Sequence, residues 1–224
     1  MKWPDDYENK VICGDCLEVM KGIPDNSVDL VLTDPPYGIG YSRHIENPKH
    51  DKLKNDSNLL WLKDFLINVR RILKDNGSIY CFCSWHNVDI FKQEIEKKFC
   101  IRNMLIWSKG GMGMGDLDTT YGCTYELCFY ANQSPQILNG DRDKDVLSYK
   151  RSGNLCHPTQ KPENLFKFLI SKSSKENDLI LDPFLGSGTT AVAAKQLGRR
   201  FIGIEISPEY CKIAEQRLQQ EVLL

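Results

Sequence analysis

The sequence predicts an α/β fold in which a mostly parallel sheet carries helices on both faces. Short apolar runs, such as Val28–Leu32 and Leu179–Leu181, alternate along the chain with longer segments whose apolar residues recur at helical spacing. An Asp-Pro pair follows each of these two runs, at Asp34-Pro35 and Asp182-Pro183. Proline cannot continue a central strand, so both acids are expected at strand ends. The 224 residues suit a single domain.

Composition and charge exclude several classes of protein. No apolar run approaches the roughly 20 residues that cross a bilayer, and the N-terminus lacks an apolar signal core. The nine cysteines are scattered, which predicts reduced thiols rather than a disulfide framework. Cys13 and Cys16 have the spacing of a redox or zinc pair, but no second pair follows, so we expect no metal. With a net charge of −1, nucleic-acid binding would need a local basic face.

The elements of the first half follow from apolar spacing and from breaker residues. After a strand at Lys10–Asp15, a short helix places Leu17 and Met20 inward. Apolar positions from Leu59 to Leu73 predict a helix that stops at Asn76-Gly77. A further helix is expected over His86–Phe99, and further strands are predicted at Ser78–Cys83, Asn103–Trp107 and Tyr125–Tyr130.

The second half repeats the alternation of helices and strands. Pro162 in the first turn opens a helix with Leu165, Phe168 and Leu169 inward. A strand at Leu179–Asp182 leads into a helix at Thr190–Leu197 and a strand at Phe201–Glu205. A final helix begins with Ser207 as its cap and Pro208 at its first position, and its core-facing residues are Tyr210, Ile213, Ala214 and Leu218.

The four residues Asp34-Pro35-Pro36-Tyr37 form the candidate catalytic site. Two prolines fix the backbone dihedral φ twice and donate no backbone hydrogen bonds, so nearby carbonyls remain available as acceptors. A carboxylate, a carbonyl and a flat ring are thus held at the carboxyl end of a strand, where open α/β sheets bind their ligands. This set suits the exocyclic amine of a heteroaromatic base. The alternative interpretation is a simple proline turn in which Tyr37 only packs.

A second candidate site follows the strand that ends at Asp182. The turn Gly186-Ser187-Gly188 opens a helix, and Glu205 ends the next strand, where such folds place a carboxylate to bind ribose hydroxyls. A pyrophosphate site would have a third glycine, but Thr189-Thr190-Ala191 contains none. The pattern therefore favours an adenosyl cofactor without phosphates and disfavours a nicotinamide cofactor.

Three motifs in this order resemble those of one known family. Asp-Pro-Pro-Tyr at 34–37, His-Pro-Thr-Gln-Lys-Pro at 157–162 and Asp-Pro-Phe-Leu-Gly-Ser-Gly-Thr-Thr at 182–190 are similar to the motifs of the beta group of S-adenosylmethionine-dependent DNA amino-methyltransferases. In these circularly permuted enzymes the catalytic half precedes the cofactor half. The resemblance implies a Rossmann-like methyltransferase fold with a seven-stranded sheet. It also implies one domain, 1–224, made of a catalytic half 1–130, a short target-recognition segment 131–155 and a cofactor half 156–224.

The resemblance also implies roles for individual residues. The tetrapeptide 34–37 would bind the target amine and stack the base. Glu205 would bind the ribose of the cofactor, and Lys161 with Thr159 would lie near its carboxylate. Asp15 would flank the adenine, although a helix N-cap is an alternative role for it. The implied cofactor-binding residues are Asp15, Cys16, Asp34, His157, Thr159, Lys161, Asp182, Pro183, Phe184, Gly186, Ser187, Gly188, Thr189, Glu205 and Ile206, of which His157 is expected to be mainly structural.

The expected reaction is methyl transfer from S-adenosylmethionine to N6 of an adenine that is flipped out of double-stranded DNA. Asp34 favours adenine, since serine is commoner at the first position in the cytosine-N4 enzymes of this group. Cytosine-N4 methylation and RNA adenine methylation remain alternatives, because these amines present the same donors. A catalytically silent partner subunit is a further alternative, which three intact motifs disfavour.

Cations near the base site are expected to contact DNA phosphates. The polar stretch after Tyr37 is predicted to be a surface loop, and the alternative is that its charges are merely solvated. The predicted DNA-binding residues are Arg43, Lys49, Lys52, Lys54 and Lys109. Because the recognition segment is short, a homodimer is expected, and a cognate restriction enzyme is a further candidate partner. The resemblance implies a cytoplasmic enzyme of a bacterium or phage, without membrane contact.

Overall fold

The computed structural model describes residues 1–38, 58–111, 118–151 and 161–220. The strands are β1 (Lys10–Cys13), β2 (Val28–Thr33), β3 (Leu73–Cys83), β4 (Cys100–Ser108), β5 (Tyr125–Asn132), β6 (Val146–Ser148), β7 (Leu179–Asp182) and β8 (Arg200–Glu205). The helices are α1 (Cys16–Met20), α2 (Leu62–Ile72), α3 (Val88–Glu96), α4 (Glu163–Ser173), α5 (Thr189–Gln196) and α6 (Pro208–Gln220), with a short 3-10 helix at Trp85–Asn87. No helix in these ranges is long and apolar enough to cross a membrane.

The strands form one sheet in the order β1-β8-β7-β2-β3-β5-β4-β6. Every neighbouring pair is parallel except the two that involve β5, which runs against both β3 and β4. The predicted mostly parallel, Rossmann-like sheet is therefore confirmed. The described sheet has eight strands rather than the seven expected, because β6 pairs with the end of β4 at the sheet edge. That extra strand comes from the segment 131–155.

Both faces of the sheet are buried, as a doubly covered parallel sheet requires. Along β2, Val28 and Val31 point into a core shared with α1, α2 and α3, whereas Leu30 and Leu32 point into a core shared with α4 and α5. All four side chains are fully buried. At about 25 cal/mol for each Å² of apolar surface, burying one such side chain contributes about 1.5–3 kcal/mol. Apolar side chains buried on both faces therefore mark β2 as a central strand.

The two helices that flank β3 have bounds that differ from the prediction. The helix predicted to run to a stop at Asn76-Gly77 ends at Ile72, and β3 begins at Leu73. Leu73 pairs with Val28, and Lys74 forms a 2.7 Å ion pair with Asp29, so tertiary contacts hold this stretch extended. The following helix begins as a 3-10 turn and ends at Glu96 instead of Phe99.

The order of the strands reverses between β7 and β2. From β7 the chain continues to β8 on one side, while from β2 it continues to β3 on the other. Leu30 pairs with Ile180 and Val31 with Leu181, so the carboxyl ends of the two strands lie side by side. Ligands bind in doubly wound sheets at such a reversal. The fold therefore brings Asp34 and Asp182 to one crevice.

Candidate active site

A chain of four alternating charges lies at the carboxyl end of β2. The Lys161 ammonium contacts Asp34 Oδ2 and lies 2.9 Å from Glu126 Oε2, and the Lys109 ammonium lies 2.9 Å from Glu126 Oε1. Both lysine side chains are nearly inaccessible, at 6% and 7% exposed, whereas Asp34 retains 25% exposure. The four groups come from the ends of β2, β4 and β5 and from the start of α4. Only the correctly assembled sheet brings them together.

Electrostatic interactions among these four side chains favour the charged forms of Glu126 and Lys161. Burial opposes the ionisation of Glu126, but the Lys161 and Lys109 ammonium groups outweigh it and lower its pKa to about 2. Burial likewise disfavours the Lys161 cation, but Asp34 and Glu126 together raise its pKa above the ordinary value. Burial raises the pKa of Asp34 despite the neighbouring Lys161 ammonium. Buried charges persist in proteins only when they are paired in this way.

Tyr37 completes the same cluster. Its hydroxyl donates to Asp34 Oδ1 and lies 3.3 Å from Glu126 Oε2, while its backbone carbonyl accepts from Asn87 Nδ2 at 2.7 Å. Burial raises the pKa of Tyr37, so the hydroxyl stays a neutral donor. Its ring is partly buried against the core on the α4 and α5 side of the sheet. The tetrapeptide is thus fixed by side-chain bonds as well as by its two prolines.

A second cluster joins the turns after β7 and β8. Glu205 accepts hydrogen bonds from the backbone nitrogens of Gly186 and Ser207, both at 2.8 Å. Asp182 accepts from the hydroxyl of Thr190 and from the backbone nitrogen of Phe184, the latter at 3.1 Å. Burial raises the pKa of Asp182 to about 7 even though these bonds act in the opposite direction. The two carboxyl groups therefore organise the loops that line the crevice.

The two glycines of the turn differ in their surroundings. Both have positive φ, at +55° for Gly186 and +92° for Gly188. A Cβ on Gly188 would lie 2.8 Å from the Cβ of Ala214, so this glycine permits close packing of α6. A Cβ on Gly186 would meet no atom within 4 Å. The open space beside Gly186, next to the Glu205 carboxylate, fits an adenosyl ligand whose hydroxyls need an acceptor.

Several of the other predicted cofactor residues have structural roles in the described part of the chain. Asp15 caps α1 by accepting from the Leu17 nitrogen at 2.8 Å, which matches its alternative role. Cys16 is buried, and burial raises its pKa to about 12, so its thiol stays protonated. Phe184 packs on Trp61 with ring centroids 5.1 Å apart. Arg217 donates to the Ser187 carbonyl at 2.7 Å and to Thr189 Oγ1 at 3.3 Å, and Ile206 is 38% exposed. These positions leave their roles in cofactor binding as predictions.

Lys109 requires a correction among the predicted DNA-binding residues. Its ammonium is buried on Glu126 rather than presented to solvent, and it lies 5.8 Å from the ring centroid of Trp107. A buried, paired cation is not free to contact phosphate, so that assignment is wrong. Arg43, Lys49, Lys52 and Lys54, together with His157 and Thr159, lie outside the described residues.

Glu126 is the site residue that the sequence analysis missed. Its signal was present as a single acid in the otherwise apolar and aromatic strand Tyr125–Tyr130. An acid in a central strand needs a buried cation, and two lysines meet that need here. In the described part of the chain, no group of three or more His, Cys, Asp or Glu residues is arranged to hold a metal.

Comparisons with known proteins identify similar chains over almost the whole length. Residues 28–216 match the family model described as DNA methylase. The DNA adenine methyltransferase YhdJ of Escherichia coli is 34% identical, over 93% of this chain and 82% of the relative. The type II methyltransferase M.HinfI of Haemophilus influenzae is 33% identical, over 96% of this chain and 70% of the relative. The crystal structure of the M1.HpyAVI–SAM complex superposes with a TM-score of 0.75 at 26% identity, covering 93% of this chain and 98% of that one.

Proposed function

The chain belongs to the N6/N4 DNA methylase family, and on that premise we propose that it methylates N6 of adenine at specific sites in double-stranded DNA. The observation that carries the proposal is the partly exposed Asp34 carboxylate after β2, next to strand β7, which leads into the Gly186 turn held by Glu205. S-adenosylmethionine, the methyl donor of this family, supplies an electrophilic methyl group. The residues of this chain must therefore bind the donor and aim a weakly nucleophilic amine at it.

The two clusters divide these tasks. We propose that Glu205 accepts hydrogen bonds from the ribose hydroxyls, since each of its oxygens keeps a free lone pair beyond its bond to a backbone N–H. The open space beside Gly186 would take the adjoining part of the donor. Asp182 would line the crevice between donor and base. This assignment explains why the loops after β7 and β8 are tied together by a single carboxylate.

Asp34 and Pro35 would receive the target amine. The Asp34 carboxylate and the Pro35 carbonyl would accept one hydrogen bond each from the two N–H groups of N6, which favours a tetrahedral nitrogen with an available lone pair. As the N6–CH3 bond forms and the S–CH3 bond breaks, S-adenosylhomocysteine would be left and positive charge would develop on the base next to a fixed carboxylate, which stabilises it. Loss of one N6 proton to solvent would then give the neutral methylated amine. A base inside a duplex cannot reach this crevice, so it must be flipped out, and the Tyr37 ring offers a stacking surface.

Adenine is the proposed target because an aspartate opens the tetrapeptide and because one relative is named as a DNA adenine methyltransferase. Cytosine N4 is the second candidate, since its amine presents the same two donors. The test is to incubate the purified enzyme with S-adenosylmethionine and DNA, and in a parallel reaction with RNA, and to quantify methylated nucleosides by mass spectrometry, with Asp34→Ala as the inactive control. N6-methyladenine is expected. N4-methylcytosine alone would refute the target, and methylation of RNA alone would refute the substrate.

The partners follow from the same proposal. The name of M.HinfI as a type II methyltransferase supports a restriction-modification context with a cognate nuclease. The short segment 131–155, part of which is committed to β6, leaves few residues for recognising a site, which supports a homodimer. A DNA substrate and reduced cysteines support a cytoplasmic location. Light scattering at the concentration used for the activity assay measures the molar mass in solution. A monomer with full activity would refute the homodimer.

A further inference from the structure

Both oxygens of the Asp34 carboxylate are already engaged by protein donors. Tyr37 donates to Oδ1, and Lys161 donates to Oδ2. A target amine that needs Asp34 as its acceptor must therefore share or displace one of them. Of the two donors, the Lys161 ammonium would slow the reaction, because it repels the positive charge that develops on the methylated amine. The neutral Tyr37 hydroxyl has no such effect.

Lys161 has a second anion within reach. Its Nζ lies 2.9 Å from Glu126 Oε2, and the other oxygen of Glu126 is held by Lys109 at 2.9 Å. A buried ammonium that left Asp34 without another partner would be strongly destabilised. Because Glu126 is present, Lys161 can release Asp34 and remain in an ion pair at all times. Three aromatic rings, those of Tyr37, Phe82 and Trp107, also lie within 6.0 Å of Nζ.

From this geometry we propose that Lys161 is a movable counter-ion, which neutralises Asp34 in the base-free enzyme and shifts onto Glu126 when the target amine binds. Glu126 is then a positioning residue for methyl transfer, acting through Lys161. The inference rests on the proposed function, because it needs an amine that binds Asp34. It does not depend on whether that amine belongs to adenine or to cytosine.

The decisive variants are Glu126→Gln and the double variant Glu126→Gln/Lys161→Met. In Glu126→Gln the shifted Lys161 has no second anion, so we expect kcat to fall about 10- to 100-fold while the Kd for S-adenosylmethionine stays unchanged. The double variant removes the competing cation as well. With each variant measured on the alkaline plateau of its own pH profile, the double variant should be at least about fivefold faster than Glu126→Gln. A double variant as slow as Glu126→Gln, or slower, would overturn the proposal.

The pH profile provides a readout that a purely structural role would not move. In Lys161→Met, Asp34 of the base-free enzyme loses its nearest cation but keeps the other groups around it, so the acid limb of the kcat/KM profile should shift to higher pH. Those other groups are the acids Glu126 and Asp182, the hydroxyl of Tyr37 and the thiols of Cys81, Cys83 and Cys128. An unchanged acid limb would contradict the pairing of Lys161 with Asp34.

Two controls separate the possible failures. Asp29→Asn removes a carboxylate that pairs with Lys74 at 2.7 Å near the start of β2, far from the crevice, and should leave kcat unchanged. Circular dichroism and cofactor affinity establish that each variant is folded.

If the wild-type protein methylates no DNA, the proposed function fails on its own. A ¹³C NMR titration of Asp34 in the base-free protein then still tests Lys161, because Lys161→Met must raise the pKa of Asp34, and an unchanged value would refute the counter-ion role.

Discussion

Gly186→Ala should separate cofactor binding from stability. Gly186 has φ of +55°, a conformation that costs an alanine roughly 1–2 kcal/mol. For a protein of this size each kcal/mol lowers the melting temperature by about 2–4 °C. The added methyl group meets no protein atom within 4 Å, so no further destabilisation is expected. If the donor occupies that open space, however, its Kd should rise about tenfold or more, equivalent to about 1.4 kcal/mol.

The chain provides matched controls for the two effects. Gly140 has φ of +69°, and a Cβ there would lie 3.9 Å from the nearest atom, Lys172 Nζ. Gly140→Ala should therefore show the same small loss of stability with unchanged affinity for S-adenosylmethionine. In Gly188→Ala the new methyl group would lie 2.8 Å from Ala214 Cβ, so overpacking should add about 1–3 kcal/mol to the backbone strain.

Calorimetry of cofactor binding and thermal unfolding together give the result. The expected pattern is weakened binding at small stability cost for Gly186→Ala, and a large stability cost for Gly188→Ala. A Gly186→Ala protein that binds S-adenosylmethionine as tightly as Gly140→Ala does would show that the donor is not beside Gly186. The proposal that the donor occupies the open space beside Gly186 would then be wrong, whereas the family membership of the chain would be unaffected.

Four further predictions follow from the site. Glu205→Ala should weaken S-adenosylmethionine binding by about 1–3 kcal/mol, measured by calorimetry, because ribose hydroxyls lose a charged acceptor. Asp34→Ala should leave that affinity nearly intact while turnover falls about 10²–10³-fold or more, since a preorganised acceptor is lost. Loss of cofactor binding instead would assign Asp34 to the cofactor site with Asp182 and Glu205. Burial raises the pKa of Asp182 from 3.8 to about 7, so the stability from this group is full below about pH 4 and is lost as pH rises through 7. Asp182→Asn should flatten that dependence of the unfolding free energy by up to about 4 kcal/mol, as urea unfolding between pH 4 and 8 would reveal. DNA affinity should decrease with salt along a shallow slope, and neutralising the cations of residues 43–54 should make it shallower still; an unaffected slope would exclude that segment from phosphate binding.

The sequence predicts best those features that depend on strand ends. Asp34, Asp182 and Glu205 each follow or end an apolar run, and each lies at the carboxyl edge of the sheet as expected. Such positions can be predicted from the sequence because a strand buried on both faces is rich in apolar residues. The carboxyl end of such a strand also faces the ligand site of the sheet. The fold class follows from the same pattern.

Features that depend on contacts between distant segments were not predictable. The ion pair of Lys161 with Asp34 joins residues 127 positions apart, and no spacing rule links them. The resemblance predicted Lys161 beside the cofactor carboxylate, and that role stays a prediction next to the pairing with Asp34 and Glu126. Lys109 was predicted to contact DNA phosphates, yet its ammonium is buried against Glu126, which lies 17 positions away in the next strand.

The ion pair between Lys161 and Asp34 also bears on the division of the chain into a catalytic half and a cofactor half. That division follows the order of the motifs, and it remains a prediction about domains. The ion pairs join the two halves: Lys161 lies just before α4 in the cofactor half, whereas Asp34, after β2, and Glu126, in β5, belong to the catalytic half. Ligand sites in doubly wound sheets form wherever the carboxyl ends of central strands meet, whatever the order in which the chain visits those strands. A permuted chain can therefore keep the same crevice, provided that β7 and β2 remain neighbours and that α4 still starts beside Asp34.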